Sequence, residues 1–111
     1  MAHEDPERDA VASASARLLG RWRLLRADAA LEFAPDVSME FRSGGRLVYE
    51  FSAGATRHVI QLLYRVDGGG DTLRTDNPAA PHERSTHFHF GAGEVLVFDF
   101  AGPRAWFVRE L

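Results

Sequence analysis

The sequence predicts an all-β fold: an eight-stranded antiparallel up-and-down β-barrel with a short N-terminal α-helix. Two observations predict it. After Gly20, apolar residues recur at every second position almost to the C-terminus, in short runs separated by turn-forming residues. No segment between those runs is long or periodic enough for a crossover helix, so successive strands pair as an antiparallel meander. A meander of eight strands closes naturally into a barrel, which removes its sticky edges. At 111 residues, 45% of them hydrophobic, the chain reads as one domain spanning 1–111 with a single core.

The helix comes first, over about residues 6–19, with the barrel from about 20 to 111. Pro6 suits the first helical turn, and Glu7 and Asp9 suit the positive end of the helix dipole. Val11, Ala14 and Leu18 share one face at helical spacing, and Gly20 fits the C-terminal cap. The strands then run Arg21–Asp28, Asp36–Arg42, Arg46–Ser52, Arg57–Val66, Asp71–Asp76, Arg84–Phe90, Glu94–Phe100 and Arg104–Glu110. Ala-Pro-Asp at 34–36, Ser-Gly-Gly at 43–45, Ala-Gly-Ala at 53–55, three glycines at 68–70, Gly-Ala-Gly at 91–93 and Gly-Pro at 102–103 mark turns between them. The Pro-rich connection Asn77–Glu83 is the longest of these turn segments.

Gly20-Arg21-Trp22, on a first strand behind a short helix, resembles the Gly-x-Trp signature of the lipocalin-like (calycin) barrels. The resemblance implies that Trp22 sits inside the closed end of the barrel and that an Arg from the last strand packs across its indole. Arg109 is the candidate. Strand topology is consistent with that pairing: strand eight runs antiparallel to strand one, so the start of the first lies beside the end of the last. Minimal loops and the lack of a C-terminal helix or disulfide make the small bacterial lipocalin-like domains the closer comparison, and as a group they imply no single activity. Thirteen basic residues, all of them Arg, fit the codon bias of a GC-rich bacterial genome.

Parity assigns the interior. With Trp22 inward, the alternation also turns in Leu24 and Arg26, then Val37, Met39 and Phe41; Leu47, Tyr49 and Phe51; Ile60, Leu62, Tyr64 and Val66; Leu73 and Thr75; Phe88 and Phe90; Leu96, Phe98 and Phe100; and Phe107 with Arg109. So many rings imply a largely filled lower half and a small cavity near the open end. The expected ligand site gathers there: Arg26 and His58 as polar anchors, with Tyr49, Tyr64, Phe51 and Phe100 around them. Thr75 and Thr86 lie at the rim, and His82 on the loop across the mouth. An inward Arg26 needs either an acidic partner, such as Asp28 or Glu32, or an anionic ligand group.

Leu25, Val95, Val97, Trp106 and Val108 point outward on three neighbouring strands. Such an apolar patch is covered either by the helix or by a second copy in a homodimer. His87 and His89 alternate outward opposite Phe88 and Phe90, with only Asp99 near them, and read as a solvated face; no metal or cofactor is expected.

The remaining features exclude functions. There is no Cys and no Lys, so thiol nucleophiles, thiolate metal sites and Schiff-base chemistry are ruled out. A net charge of −3 without a basic stripe argues against nucleic acid and anionic membrane surfaces. No apolar run reaches the roughly 20 residues of a membrane span, and the acidic start lacks a leader-like apolar stretch, so the cytoplasm is the expected compartment. No nucleophile elbow, phosphate loop or dinucleotide fingerprint occurs. Three functions fit this barrel: binding a small apolar or amphipathic ligand at the open end; a filled structural module dimerising through Trp106; or an isomerase- or cyclase-type enzyme using Arg26, His58 and Tyr64.

Overall fold

The computed structural model describes residues 6–110. Helix α1 (Pro6–Leu18) leads into strands β1 (Gly20–Ala27), β2 (Ser38–Arg42), β3 (Arg46–Ala53), β4 (Thr56–Asp67), β5 (Thr72–Asp76), β6 (Arg84–Phe90), β7 (Leu96–Asp99) and β8 (Arg104–Arg109). Each strand pairs antiparallel with the next, and β8 returns to β1, closing the barrel. The interior follows from the alternation. Trp22, Phe41, Leu96 and Phe107 are almost fully buried, with Met39, Leu47, Leu73, Phe88 and Phe98 beside them.

The helix shuts one end of this barrel. Glu7 and Asp9 occupy its first turn and Arg17 its last, each matching the sign of the nearby dipole end. Ala14 and Leu18 are buried against the barrel core, and Val11 packs beside them. Where α1 crosses the β4–β5 turn, Gly70 adopts φ +98°, and a Cβ there would come within 2.8 Å of the Ala10 carbonyl oxygen. Arg17 covers the Phe90 ring, its guanidinium carbon 4.0 Å from the centroid.

A helix end leaves carbonyls without intrahelical donors. Here the barrel supplies them. Trp22 Nε1 donates to the Leu18 carbonyl at 2.8 Å. Arg109 donates through Nη1 to the Leu19 carbonyl at 2.7 Å and through Nη2 to that of Arg17 at 2.6 Å. Trp22 and Arg109 face each other across the β1–β8 ladder, and the guanidinium carbon lies 4.3 Å from the indole centroid. Gly20 permits this arrangement twice over: its φ is +117°, and a Cβ would stand 2.9 Å from Arg109 Nη1.

The alternation breaks once. Leu24 opposes Phe107 but Arg26 opposes Trp106, so Leu25 is an extra residue in β1. This bulge reverses the parity of the rest of β1. Arg26 is therefore exposed on the outer surface, not inward as its spacing from Trp22 predicts, and its guanidinium carbon stacks 3.9 Å from the Trp106 ring centroid. The outer patch is thus partly covered from within the barrel wall: Arg26 caps Trp106 and Val97 is only 4% exposed, while Leu25 remains 53% exposed. The helix lies across the closed end and against β4.

Trp22→Ala removes a fully buried ring and is expected to lower unfolding stability by about 3–5 kcal/mol in chemical denaturation; a loss below about 1 kcal/mol would contradict its place in the core. Gly20→Ala is expected to destabilise more than Gly44→Ala. Both glycines have positive φ, but only at Gly20 does a Cβ meet another group. Equal losses would show that Arg109 does not press against this backbone.

Candidate functional site: the cavity at the open end

Opposite α1 the barrel is hollow, with a cavity of about 710 Å³ open to solvent. The volume falls within the range of small-molecule sites. Met39, Leu47, Ile60, Leu62, Leu73, Phe98 and Phe107 give it an apolar lining. A run of ring contacts fills the opposite side of the barrel from the closed end to the mouth: Trp22–Phe90 at 6.2 Å, Phe90–Phe88 at 5.9 Å, Phe88–Phe98 and Phe98–Phe100 at 6.2 Å, and Phe100–Phe33 at 5.8 Å. The rings form one wall, and Leu47 and Tyr49 of β3 with Ile60 and Leu62 of β4 line the other.

Two connections shape the mouth. Between β1 and β2 the chain makes one 3-10 turn, Ala29–Leu31, then passes Glu32 at φ +51° and brings Phe33 edge-on to Phe100. Asp28 ties this connection to β8 by accepting from the Arg104 amide at 2.8 Å. The β5–β6 connection supplies the polar groups: Asp76, Asn77, His82 and Arg84 line the cavity with Thr75 and Thr86. Its shape is set internally. The Asp76 carboxylate accepts from the His82 amide at 2.9 Å, and Asn77 Oδ1 accepts from the Ala79 amide at 3.0 Å. Glu83 binds Arg74 at 2.8 Å, and Arg74 in turn binds Asp67 at 2.6 Å. Arg84 opposes Thr75 in the β5–β6 register and makes no ion pair among the described residues. Burial raises the Tyr49 phenol above its ordinary value, so its hydroxyl stays protonated and can donate.

The structure separates the residues that sequence spacing groups together. Tyr49 and Phe100 line the cavity, as do Thr75, Thr86 and His82. Phe51 is outside the cavity lining, its ring 5.7 Å from that of Tyr49. His58 is exposed and stacks on Phe51 at 5.1 Å, outside the cavity lining. Tyr64 faces inward but at the other end, edge-on to Phe41 at 5.0 Å, with its hydroxyl donating to the Arg42 carbonyl at 3.1 Å. With Arg26 outside on Trp106, the set Arg26, His58 and Tyr64 does not converge. Sequence reasoning overlooked Phe33 and Arg84. Arg84 shares the parity of Phe88 and Phe90, and Leu31-x-Phe33 is an alternating apolar pair, so both carried a signal. His87 and His89 are exposed on the outer face, and no group of three metal-ligating side chains occurs among the described residues.

The chain has no match among protein-family models, curated proteins or solved structures. Among the described residues no helix is long and apolar enough to cross a membrane.

The β3–β4 hairpin above the cavity is tethered by Asp36, whose carboxylate accepts from the Ser52 amide at 3.1 Å and from Arg57 at 2.9 Å. Hydrogen bonding from Ser52, with Arg57 adding to it, holds the carboxyl below its ordinary value. A depressed carboxyl contributes stability that is present above its unfolded value and is lost as pH falls through its folded one. The Ser52 amide is therefore expected to lose protection from exchange below about pH 4, and Asp36→Asn to remove that dependence. An amide whose protection is flat across that range would contradict the tether.

Proposed function

We propose that this is a lipocalin-like binding protein that holds one small apolar or amphipathic molecule in the upper half of its barrel. The observation that carries the reading is the cavity itself: about 710 Å³, apolar over most of its lining, with most of its polar groups on the β5–β6 side and the Tyr49 hydroxyl on β3. Such a site takes an apolar body by burial and orients it by one polar end. The Trp22–Arg109 stack and the eight-strand closure support the family reading. The scatter of Arg26, His58 and Tyr64 favours binding over acid–base catalysis.

Arg84 takes the role that sequence spacing gave to Arg26. It lines the cavity, makes no ion pair among the described residues and suits a carboxylate, sulfonate or similar group. Two probes that share a ring system separate the apolar and charged contributions. Anilinonaphthalene sulfonate and neutral phenylnaphthylamine are both expected to bind with enhanced fluorescence. Leu62→Trp, which fills the cavity, is expected to abolish both signals. Arg84→Ala is expected to weaken the sulfonate by about tenfold, or about 1.4 kcal/mol, and to leave the neutral probe unchanged. Probe binding that survives Leu62→Trp would overturn the reading.

A further inference from the structure

We infer that the upper part of β4 is a pairing edge for a second copy of this chain. β4 is longer than the neighbour that should cover it. It pairs with β3 over Thr56–Leu63 but with β5 only over Leu63–Asp67, because the chain turns away at Asn77-Pro78. Thr56–Leu62 therefore have a hydrogen-bonded partner on one side only among the described residues. The alternation says which groups are free. The Tyr64 amide points toward β3 and donates to the Gly45 carbonyl at 2.8 Å, so the amides and carbonyls of Arg57, Val59 and Gln61 point to the open side.

Barrels and sheets normally blunt such an edge with Pro, a bulge, an inward charge or a free Lys. This stretch has none of these. Its one charge, Arg57, is held on its own molecule by Asp36 and Glu50, each at 2.9 Å. The outer face beside the edge carries Val59 and Leu63, 54% and 48% exposed.

A second copy fits this edge in one register. A two-fold axis through Val59 sets Val59 opposite Val59 of the second copy and Arg57 opposite its Gln61, and the reverse. Every free amide then meets a free carbonyl. Shifting the axis to Arg57 places two arginines opposite each other. Shifting it to Gln61 recruits Leu63 and Arg65, whose backbones already pair with β5. The closed two-fold pair satisfies both edges at once and leaves none to propagate. It also continues the barrel wall beside Ile60 and Leu62, which line the cavity.

Sedimentation of the full chain over a concentration series, with three variants, tests this. The wild type is expected to form a dimer. The chain has no Cys, so a single introduced one can form only an intermolecular disulfide. Directly opposed residues of an antiparallel hydrogen-bonded pair lie about 5.5 Å apart, within disulfide reach. Val59→Cys is therefore expected to cross-link on mild oxidation, and Gln61→Cys, which faces residue 57, is not. Val59→Pro removes only a free donor and is expected to give a monomer with an unchanged circular dichroism spectrum. A wild type that stays monomeric throughout, cross-linking of Gln61→Cys as readily as Val59→Cys, or a Val59→Pro dimer would each overturn the proposal.

Discussion

The rest of the structure depends on the contact between Arg109 and Trp22. One guanidinium closes the barrel by stacking on a residue of the first strand, and the same group donates to two carbonyls at the end of α1. Trp22 satisfies a third. Closure of the barrel and capping of the helix are therefore not separate events. Without the last strand the Arg17 and Leu19 carbonyls lose their donor, and without the helix end Arg109 loses both acceptors. An Arg can do both because its planar fork presents several donors while its face stacks on an aromatic ring.

That junction fixes an asymmetry along the barrel axis. Below, Trp22, Phe41, Phe90 and the apolar face of α1 leave little space. Above, Phe98, Phe100 and Phe33 line one wall and Tyr49 the other, and the strands stop pairing at different heights. β2 releases β3 after Glu50 and β5 releases β4 before Leu63. The result is an open half with an apolar interior, a polar loop at one side and an unpaired strand edge at another. The cavity and the proposed pairing edge have the same origin, a β3–β4 hairpin longer than the strands that flank it.

Strand number and strand order were legible because period-two alternation and turn residues are local signals, and antiparallel closure follows from counting; the Trp22–Arg109 pairing came from the Gly-x-Trp resemblance, with which that closure is consistent. Two things were not legible. The first was the Leu25 bulge. It carries no glycine and no break in composition, so nothing in Arg-Leu-Leu-Arg shows that one leucine is extra, and a single unseen residue moved Arg26 from the interior to the surface. The second was height. Parity says which face a residue occupies but not how far along the barrel it lies. Tyr64 and His58 share a face, yet the register Arg46↔Leu63 sets Tyr64 beside the closed-end turn, while Phe51↔His58 sets His58 above the rim. Arg84 was readable by the same parity that identified Phe88. It was missed because, although Arg84 was placed as the first residue of that strand, the inward set there was begun at Phe88.

The Trp22 junction is the sealed end of the barrel, where its closure and the helix cap meet. The chain has two tryptophans, and their indole protons test it in one experiment. Trp22 Nε1–H is buried and bonded to the Leu18 carbonyl, whereas Trp106 lies half-buried on the outer wall beneath Arg26. Hydrogen–deuterium exchange followed by NMR should show the Trp22 indole proton exchanging only through global unfolding, as slowly as the slowest core amides, and the Trp106 proton exchanging far sooner. Comparable rapid exchange at both indoles would contradict the account.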